Sequence, residues 1–263
     1  MEAYICITCG TQFAPSAAAP QRCPICLDER QWVAYAGQQW TTPDALRSEH
    51  HARIEEVEPG LLGIGMDPSF AIGQRALLVD GLLWDCIALL DDEIEERVRA
   101  AGGIDTIAIS HPHYYTTMVD WAERFDARVL LHEADRQWIM RPSERIELWS
   151  GDELSVSDSL RLINLGGHFA GGTVCLWTNG AGGAGALLSG DIVQVVPDRD
   201  WASFMWSYPN LIPLPAREVA RIRERVAALE FDRVIGAWWD RVMDGDARAK
   251  VLRSADRYIT ALQ

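Results

Sequence analysis

Thr106-Ile-Ala-Ile-Ser110-His111-Pro-His113-Tyr-Tyr115-Thr116 is the stretch on which the fold turns. Residues Thr106–Ser110 form a short apolar, β-branched run and read as a buried strand. The strand ends directly in two histidines at i and i+2. Histidines so placed converge on one ion if the backbone leaves the strand in a tight turn, and neutral imidazole is a common metal ligand. The chain has six histidines in all, so a pair at such a position carries weight.

A third candidate ligand lies downstream. His168 sits in Leu165-Gly-Gly-His168-Phe-Ala-Gly-Gly172, where four glycines let the backbone approach a site closely. Asp191 follows the strand-like Leu187-Leu-Ser-Gly and is a fourth. Around these residues, apolar runs at Ile54–Val57, Leu61–Ile64, Ala76–Val79 and Leu82–Asp85 predict a meandering first sheet. A helix from about Asp91 to Ala101, another near Thr117–Phe125 and a strand Arg128–Leu131 follow. Beyond Trp149, strands at Glu153–Val156, Leu160–Leu165, Thr173–Thr178 and Ala186–Ser189 predict a second sheet, with a turn at Asn179–Gly185. A helix Ala216–Leu229, a strand Arg233–Gly236 and a helix from about Asp246 to Leu262 complete the order. Each half thus runs strands first, then helix, strand and helix.

In motif order and spacing, residues 54–240 resemble the metallo-β-lactamase superfamily. The family's His-x-His-x-Asp-His loop aligns with His111 to Thr116, its lone central histidine with His168, and its bridging aspartate with Asp191. Asp85 matches the aspartate that ends an early strand and supports the ligands. The resemblance implies an α/β fold, the four-layer αββα metallo-β-lactamase sandwich. Tyr115 and Thr116, however, stand where the family has the aspartate and histidine of its second metal. No histidine follows His168, although the family's last one should fall in Val234–Trp239. The second half of a binuclear site is therefore expected to be lost. What remains is one ion on His111, His113 and His168, optionally completed by Asp191. His132 is expected to be structural or to support a ligand, and His50 and His51 to lie solvated in a polar linker.

The N-terminus is organised by cysteine. Cys6-x2-Cys9-x13-Cys23-x2-Cys26 places four thiolates on two tight knuckles, a set suited to tetrahedral zinc. The spacing between the pairs is much shorter than in rubredoxins, which favours zinc over iron in this small rubredoxin-like zinc ribbon. So short a module cannot bury enough apolar surface to fold unaided, and metal binding would supply the missing free energy. The expected division is a ribbon and linker over residues 1–50 and a metallo-β-lactamase-like domain over residues 51–263. Cys86 and Cys175, alone on apolar strands, are read as small buried hydrophobes.

Composition sets the remaining limits. The chain has 263 residues, with 48% hydrophobic and 24% charged residues, as in ordinary folded domains. Its net charge of −14 opposes a phosphate backbone, and residues 1–50 carry five acids against three bases, so nucleic acid is not expected as a partner. No apolar run is long enough to span a membrane and no signal peptide is evident, which makes the cytoplasm the default location. The ribbon is expected to serve as a lid or to dock a protein partner, and a homodimer is the other arrangement left open.

Three functions follow as expectations. The first is a mononuclear zinc hydrolase of a small ester, thioester, lactone or amide, in which metal-bound hydroxide attacks the carbonyl, Asp191 orients the water and Tyr115 helps the oxyanion. Trp201, Trp206, Tyr208, Trp238 and Trp239 would give such a site an aromatic mouth. The second is a mononuclear iron oxygenase on His111, His168 and Asp191, like the superfamily's persulfide dioxygenases. The third is a non-catalytic protein whose degenerate site binds a ligand or partner.

Overall fold

The computed structural model describes residues 1–263. They divide into two compact units, Met1–Leu131 with Asp135–Leu148, and His132–Ala134 with Trp149–Gln263. No helix is long and apolar enough to cross a membrane.

The sheet of the first unit is built from β1 (His51–Glu58), β2 (Leu61–Asp67), β3 (Ala76–Val79), β4 (Leu82–Trp84), β5 (Thr106–Ala108), β6 (Arg128–His132) and β7 (Ile146–Trp149). These lie side by side in chain order. β1 to β4 pair antiparallel, as short connections such as Asp80-Gly81 allow. β4, β5 and β6 pair parallel, so each of these steps needs a helical crossover. The first crossover is α2 (Asp92–Ala100) and the second is α3 (Met118–Phe125); α1 (Pro43–Glu49) precedes β1. β3, β4 and β5 are buried at every position, which explains their unbroken apolar runs.

α2 shows how local chemistry fixes a boundary. The Asp91 carboxylate accepts the Ile94 N–H at 2.8 Å, three acids occupy the first turn and Arg97 and Arg99 the last. All of these oppose the unpaired groups and dipole of the helix ends. Ile94 and Val98, four apart, form its buried stripe.

The second unit repeats the scheme. β8 (Glu153–Ser155), β9 (Leu160–Asn164), β10 (Thr173–Trp177), β11 (Ala186–Gly190), β12 (Arg233–Gly236) and β13 (Val242–Asp244) again lie in chain order. Only β11 and β12 are parallel, and α4 (Ala216–Ala227) makes that crossover. α5 (Ala247–Ala261) packs beside α4. Val219, Ile222 and Val226 of α4 join Val251 and Ala255 of α5 over the apolar face of the sheet. Between β11 and α4 run two small hairpins, Gln194–Val195 with Ala202–Ser203 and Met205–Ser207 with Ile212–Pro213.

Residues His50 and His51 are not a linker. Thr42 caps α1 through the Ala45 N–H with Pro43 at the first helical position, α1 ends at Glu49, and His51 already opens β1. His51 is exposed, as expected, but His50 Nδ1 lies 2.7 Å from the Pro68 carbonyl.

The cysteine module is tied together by pairing of Ile5–Cys6 with Trp40–Thr41, and one helical turn, Pro24–Leu27, carries the second knuckle. Its four cysteines and Ile25 are buried, with Phe13, Val33, Trp40, Ile72, Trp138 and Met140 packed against them. Phe13 meets Trp40 edge to face at 4.9 Å, a contact of about 1 kcal/mol beyond its area burial. The small core of the module is thus closed partly by residues from elsewhere in the first unit.

Candidate metal centre

β5 delivers the first two histidines. At its end the buried carboxylate of Asp85 accepts the Ser110 N–H at 2.7 Å, while the Asp85 N–H donates to the Ala108 carbonyl at 2.8 Å. Asp85 therefore fixes where the strand stops. His111 is still extended, and Pro112–Tyr114 then make a single tight turn, which the fixed φ of Pro112 favours. The turn brings the two imidazoles together, with ring centroids 5.1 Å apart and planes at 77°. Ser110 Oγ lies 2.9 Å from His111 Nδ1, and the Tyr114 ring lies 4.3 Å from that of His111.

His168 comes from the loop between β9 and β10. Gly166 and Gly167 both have positive φ, 62° and 81°, a conformation costly for any side chain with a Cβ. The N–H groups of Leu165 and Gly166 both donate to the Gly172 carbonyl at 2.8 Å, closing the loop on itself. A Cβ on Gly172 would stand 2.5 Å from the Gly166 carbonyl oxygen, so the glycine is required by a close backbone approach. His168 Nδ1 donates to the Met205 carbonyl at 3.1 Å, which puts the ring's lone pair on Nε2.

The metal-capable nitrogens of His111, His113 and His168 all lie within 4.8 Å of one another, and all three residues are buried. Around a tetrahedral ion with bonds of about 2.0–2.1 Å, three nitrogens fall within that spread. Three buried imidazoles, those of His111 and His168 with Nδ1 held by an outer partner, are a donor set such an ion takes, so the residues fit one cation. Asp191 is buried but is not part of the mutually close set. Its carbonyl accepts the Tyr208 hydroxyl at 2.8 Å, and the Tyr208 ring lies 5.5 Å from that of His168. Burial, and then the Asp191 charge, push the Tyr208 phenol well above its ordinary range.

Tyr115 and Thr116 are both buried, and neither offers an imidazole or carboxylate. Burial raises the Tyr115 phenol far above the ordinary value and the Asp135 charge adds to this, so the phenol stays protonated at neutral pH. Thr116 has a left-handed backbone, φ 36°.

The second group is Cys6, Cys9, Cys23 and Cys26, whose sulfurs also lie within 4.8 Å of one another. No disulfide forms among the six cysteines. Cys6 Sγ is 3.5 Å from Cys26 Sγ and Cys9 Sγ is 3.8 Å from Cys23 Sγ, while the Gln38 side-chain amide donates to Cys6 at 3.1 Å. Hydrogen bonds from Cys23, Cys26 and Cys9 hold the Cys6 thiol below the ordinary range, whereas Cys23 foremost pushes Cys9 and Cys26 up. Sulfurs this close do not ionise together without a positive charge among them, and a cation would supply it.

The other sequence-derived residues fall as follows. Cys86 and Cys175 are buried, and burial pushes the Cys86 thiol up to about 12. His132 is structural, its Nε2 3.1 Å from the Gly151 carbonyl and its ring edge-on to Trp149. Of the five aromatic residues assigned to the mouth, Tyr208 reaches His168, while Trp201 is packed against the guanidinium groups of Arg253 and Arg257. Ser110, Tyr114 and Met205 are partners that sequence reading did not single out. Ser110 and Tyr114 could have been found by their adjacency to the histidine pair; a backbone carbonyl such as that of Met205 leaves no signal in side-chain chemistry.

Comparison with known proteins agrees with this fold. No protein-family model matches the chain. Three solved structures share the fold: metallo-β-lactamase FIM-1 from Pseudomonas aeruginosa in its mono-zinc form, a B3 metallo-β-lactamase with an active-site glutamic acid, and a Cronobacter sakazakii metallo-β-lactamase with a HARLDQ motif. FIM-1 has a TM-score of 0.55 and 14% identity, with 79% of this chain and 96% of that one covered. The B3 enzyme has a TM-score of 0.53 and 17% identity over 77% and 86%. The Cronobacter protein has a TM-score of 0.52 and 17% identity over 80% and 96%. The uncharacterized protein YmaE of Bacillus subtilis (strain 168) is 46% identical over 100% of this chain and 97% of its own length. The chain therefore belongs to the family of YmaE, and its fold is that of the metallo-β-lactamases, an αββα class of α/β protein with a four-cysteine module before it.

Proposed function

We propose that the protein is a mononuclear zinc-dependent hydrolase of small esters, thioesters, lactones or amides, with His111, His113 and His168 as the ligands. The observation that supports this most is the gathering of three buried imidazoles from positions distant in sequence. An ion held there would lower the pKa of water toward neutrality and polarise a carbonyl. The chain's own residues do the rest. Ser110 and the Met205 carbonyl hold the rings of His111 and His168 in place through Nδ1. Asp191 orients the water, and Tyr115, kept protonated by burial, donates to the developing oxyanion. The four cysteines hold a second, structural zinc. The aromatic ring of Tyr208, 5.5 Å from that of His168, favours an apolar acyl group in the substrate.

The set gathered is three imidazoles without Asp191, which favours zinc over the iron oxygenase, whose site asks for two histidines and a carboxylate. Metal analysis of the protein as purified, with hydrolysis of an acyl ester and thioester panel, tests the reading. Two zinc equivalents per chain and turnover lost in His111→Ala are expected. One equivalent, or unchanged turnover in that variant, would end it.

A further inference from the structure

Two things meet at the place where the second metal's ligands are missing. Gly10, directly after the first cysteine knuckle, has φ 81° and approaches Thr116 so closely that a Cβ there would stand 3.3 Å from Thr116 Cγ2. The Gln12 N–H donates to the Thr116 carbonyl at 3.0 Å. Gln12, itself buried, also donates through Nε2 to Asp120 of α3 at 2.7 Å, and Arg141 donates to both the Gln12 amide oxygen and Asp120. Thr116 and Asp120 lie on either side of the start of α3, just after His111 and His113. The loop is pinned from within as well, since the Thr117 hydroxyl reaches the carbonyls of Ile87 and Ala88 at 3.0 and 3.2 Å.

The left-handed backbone of Thr116 follows from this anchoring. A β-branched residue at φ 36° persists only where its surroundings over-determine it. Here the clamp is supplied by residues 10 and 12, a few positions past Cys9. The first knuckle fixes their path, with the Gly10 N–H donating to the Cys6 carbonyl at 2.8 Å and the Cys6 N–H to the Thr11 carbonyl at 3.0 Å.

We infer that the four-cysteine module is the positioning element of the histidine loop. It takes over, through Gly10 and Gln12, the bracing that a second cation would give to the positions of Tyr115 and Thr116. Gln12 is a positioning residue, and occupancy of the cysteine site strengthens cation binding at the histidines. Linkage makes this reciprocal, so a cation on the histidines tightens the cysteine site by the same factor. The inference rests on the reading of His111, His113 and His168 as a metal centre.

Cobalt(II) titration of the full-length apoprotein tests it, because thiolate-to-cobalt charge-transfer bands report the cysteine site and weaker d–d bands report the imidazole site. In Gln12→Ala the imidazole-site bands should need about tenfold more cobalt, the cost of losing a supporting partner, while the thiolate bands, read while the histidine site is still empty, titrate as in the parent. Asp120→Ala, which removes the other end of the link, should behave alike. The pair Gln12→Glu/Asp120→Asn exchanges donor and acceptor and should restore the parent affinity, which a merely structural contact would not require. Two equivalents bound with unchanged imidazole-site affinity in the folded Gln12→Ala and Asp120→Ala variants would overturn the positioning role alone. Uptake of a single equivalent by the parent protein would overturn both this inference and the metal-centre reading.

Discussion

His168 Nδ1 donates to the backbone carbonyl of Met205 at 3.1 Å, so a carbonyl from one of the small hairpins sets the tautomer of a histidine in the β9–β10 loop. With Nδ1 committed as a donor, Nε2 is the nitrogen a cation would take. His168→Ala should lower metal content from two equivalents per chain to one, and His168→Gln, which keeps bulk but not an imidazole lone pair, should do the same. Hydrolytic turnover should fall by more than about a hundredfold, beyond the usual cost of losing an outer partner alone. Metal analysis with acyl-ester kinetics checks both.

Ser110→Ala separates orientation from ligation. Ser110 Oγ stands 2.9 Å from His111 Nδ1 and is fully buried, so its removal leaves the ring free to turn without removing a ligand. Zinc affinity at the histidine site should drop by about tenfold to a hundredfold, with stoichiometry unchanged at saturating zinc. Competition against a chromogenic chelator measures it.

Gly172→Ala tests the backbone under His168. The added methyl would sit 2.5 Å from the Gly166 carbonyl oxygen and 3.0 Å from that of Phe169, and neither can move without opening the loop. A loss of about 3 kcal/mol in unfolding free energy is expected, read from urea titration. A loss below 1 kcal/mol would mean that the loop yields.

Cys86 sets an alkaline limit. Its thiol is protonated more tightly in the folded chain, about 12, than the ordinary value of 9.0. Below pH 9 both states keep the proton and the contribution is constant. Between pH 9 and about 12 the unfolded chain releases it while the folded chain holds it, so stability falls by up to about 1.4 kcal/mol per pH unit. Cys86→Ala should show a shallower decline than the parent over that interval, in guanidinium titrations at fixed pH.

Much of this was legible in the sequence because the decisive features are local. The run Thr106–Ser110 ending in His111, the glycines around His168 and the cysteine spacing each state their geometry within a few residues. Both sheets keep their strands in chain order, so short apolar runs translated directly into neighbours. What escaped is what depends on distant backbone. α1 hid inside a segment too polar for an apolar stripe, since Leu46 is its one buried residue. The strands Ile146–Trp149 and Val242–Asp244 are short edges with polar residues facing out. The Met205 carbonyl and the contact of Gly10 with Thr116 join residues far apart in the chain, and no residue type announces them.

The four cysteines and the strand pairing that ties them, Ile5–Cys6 with Trp40–Thr41, lie within the first 41 residues, and Ile72, Trp138 and Met140 pack against them only later in the chain. During synthesis that stretch leaves the ribosome long before the turn at Pro112 is made. Gly10 and Gln12, against which Thr116 settles, are therefore made before Thr116 is, while Trp138 and Met140 close over the cysteines after it.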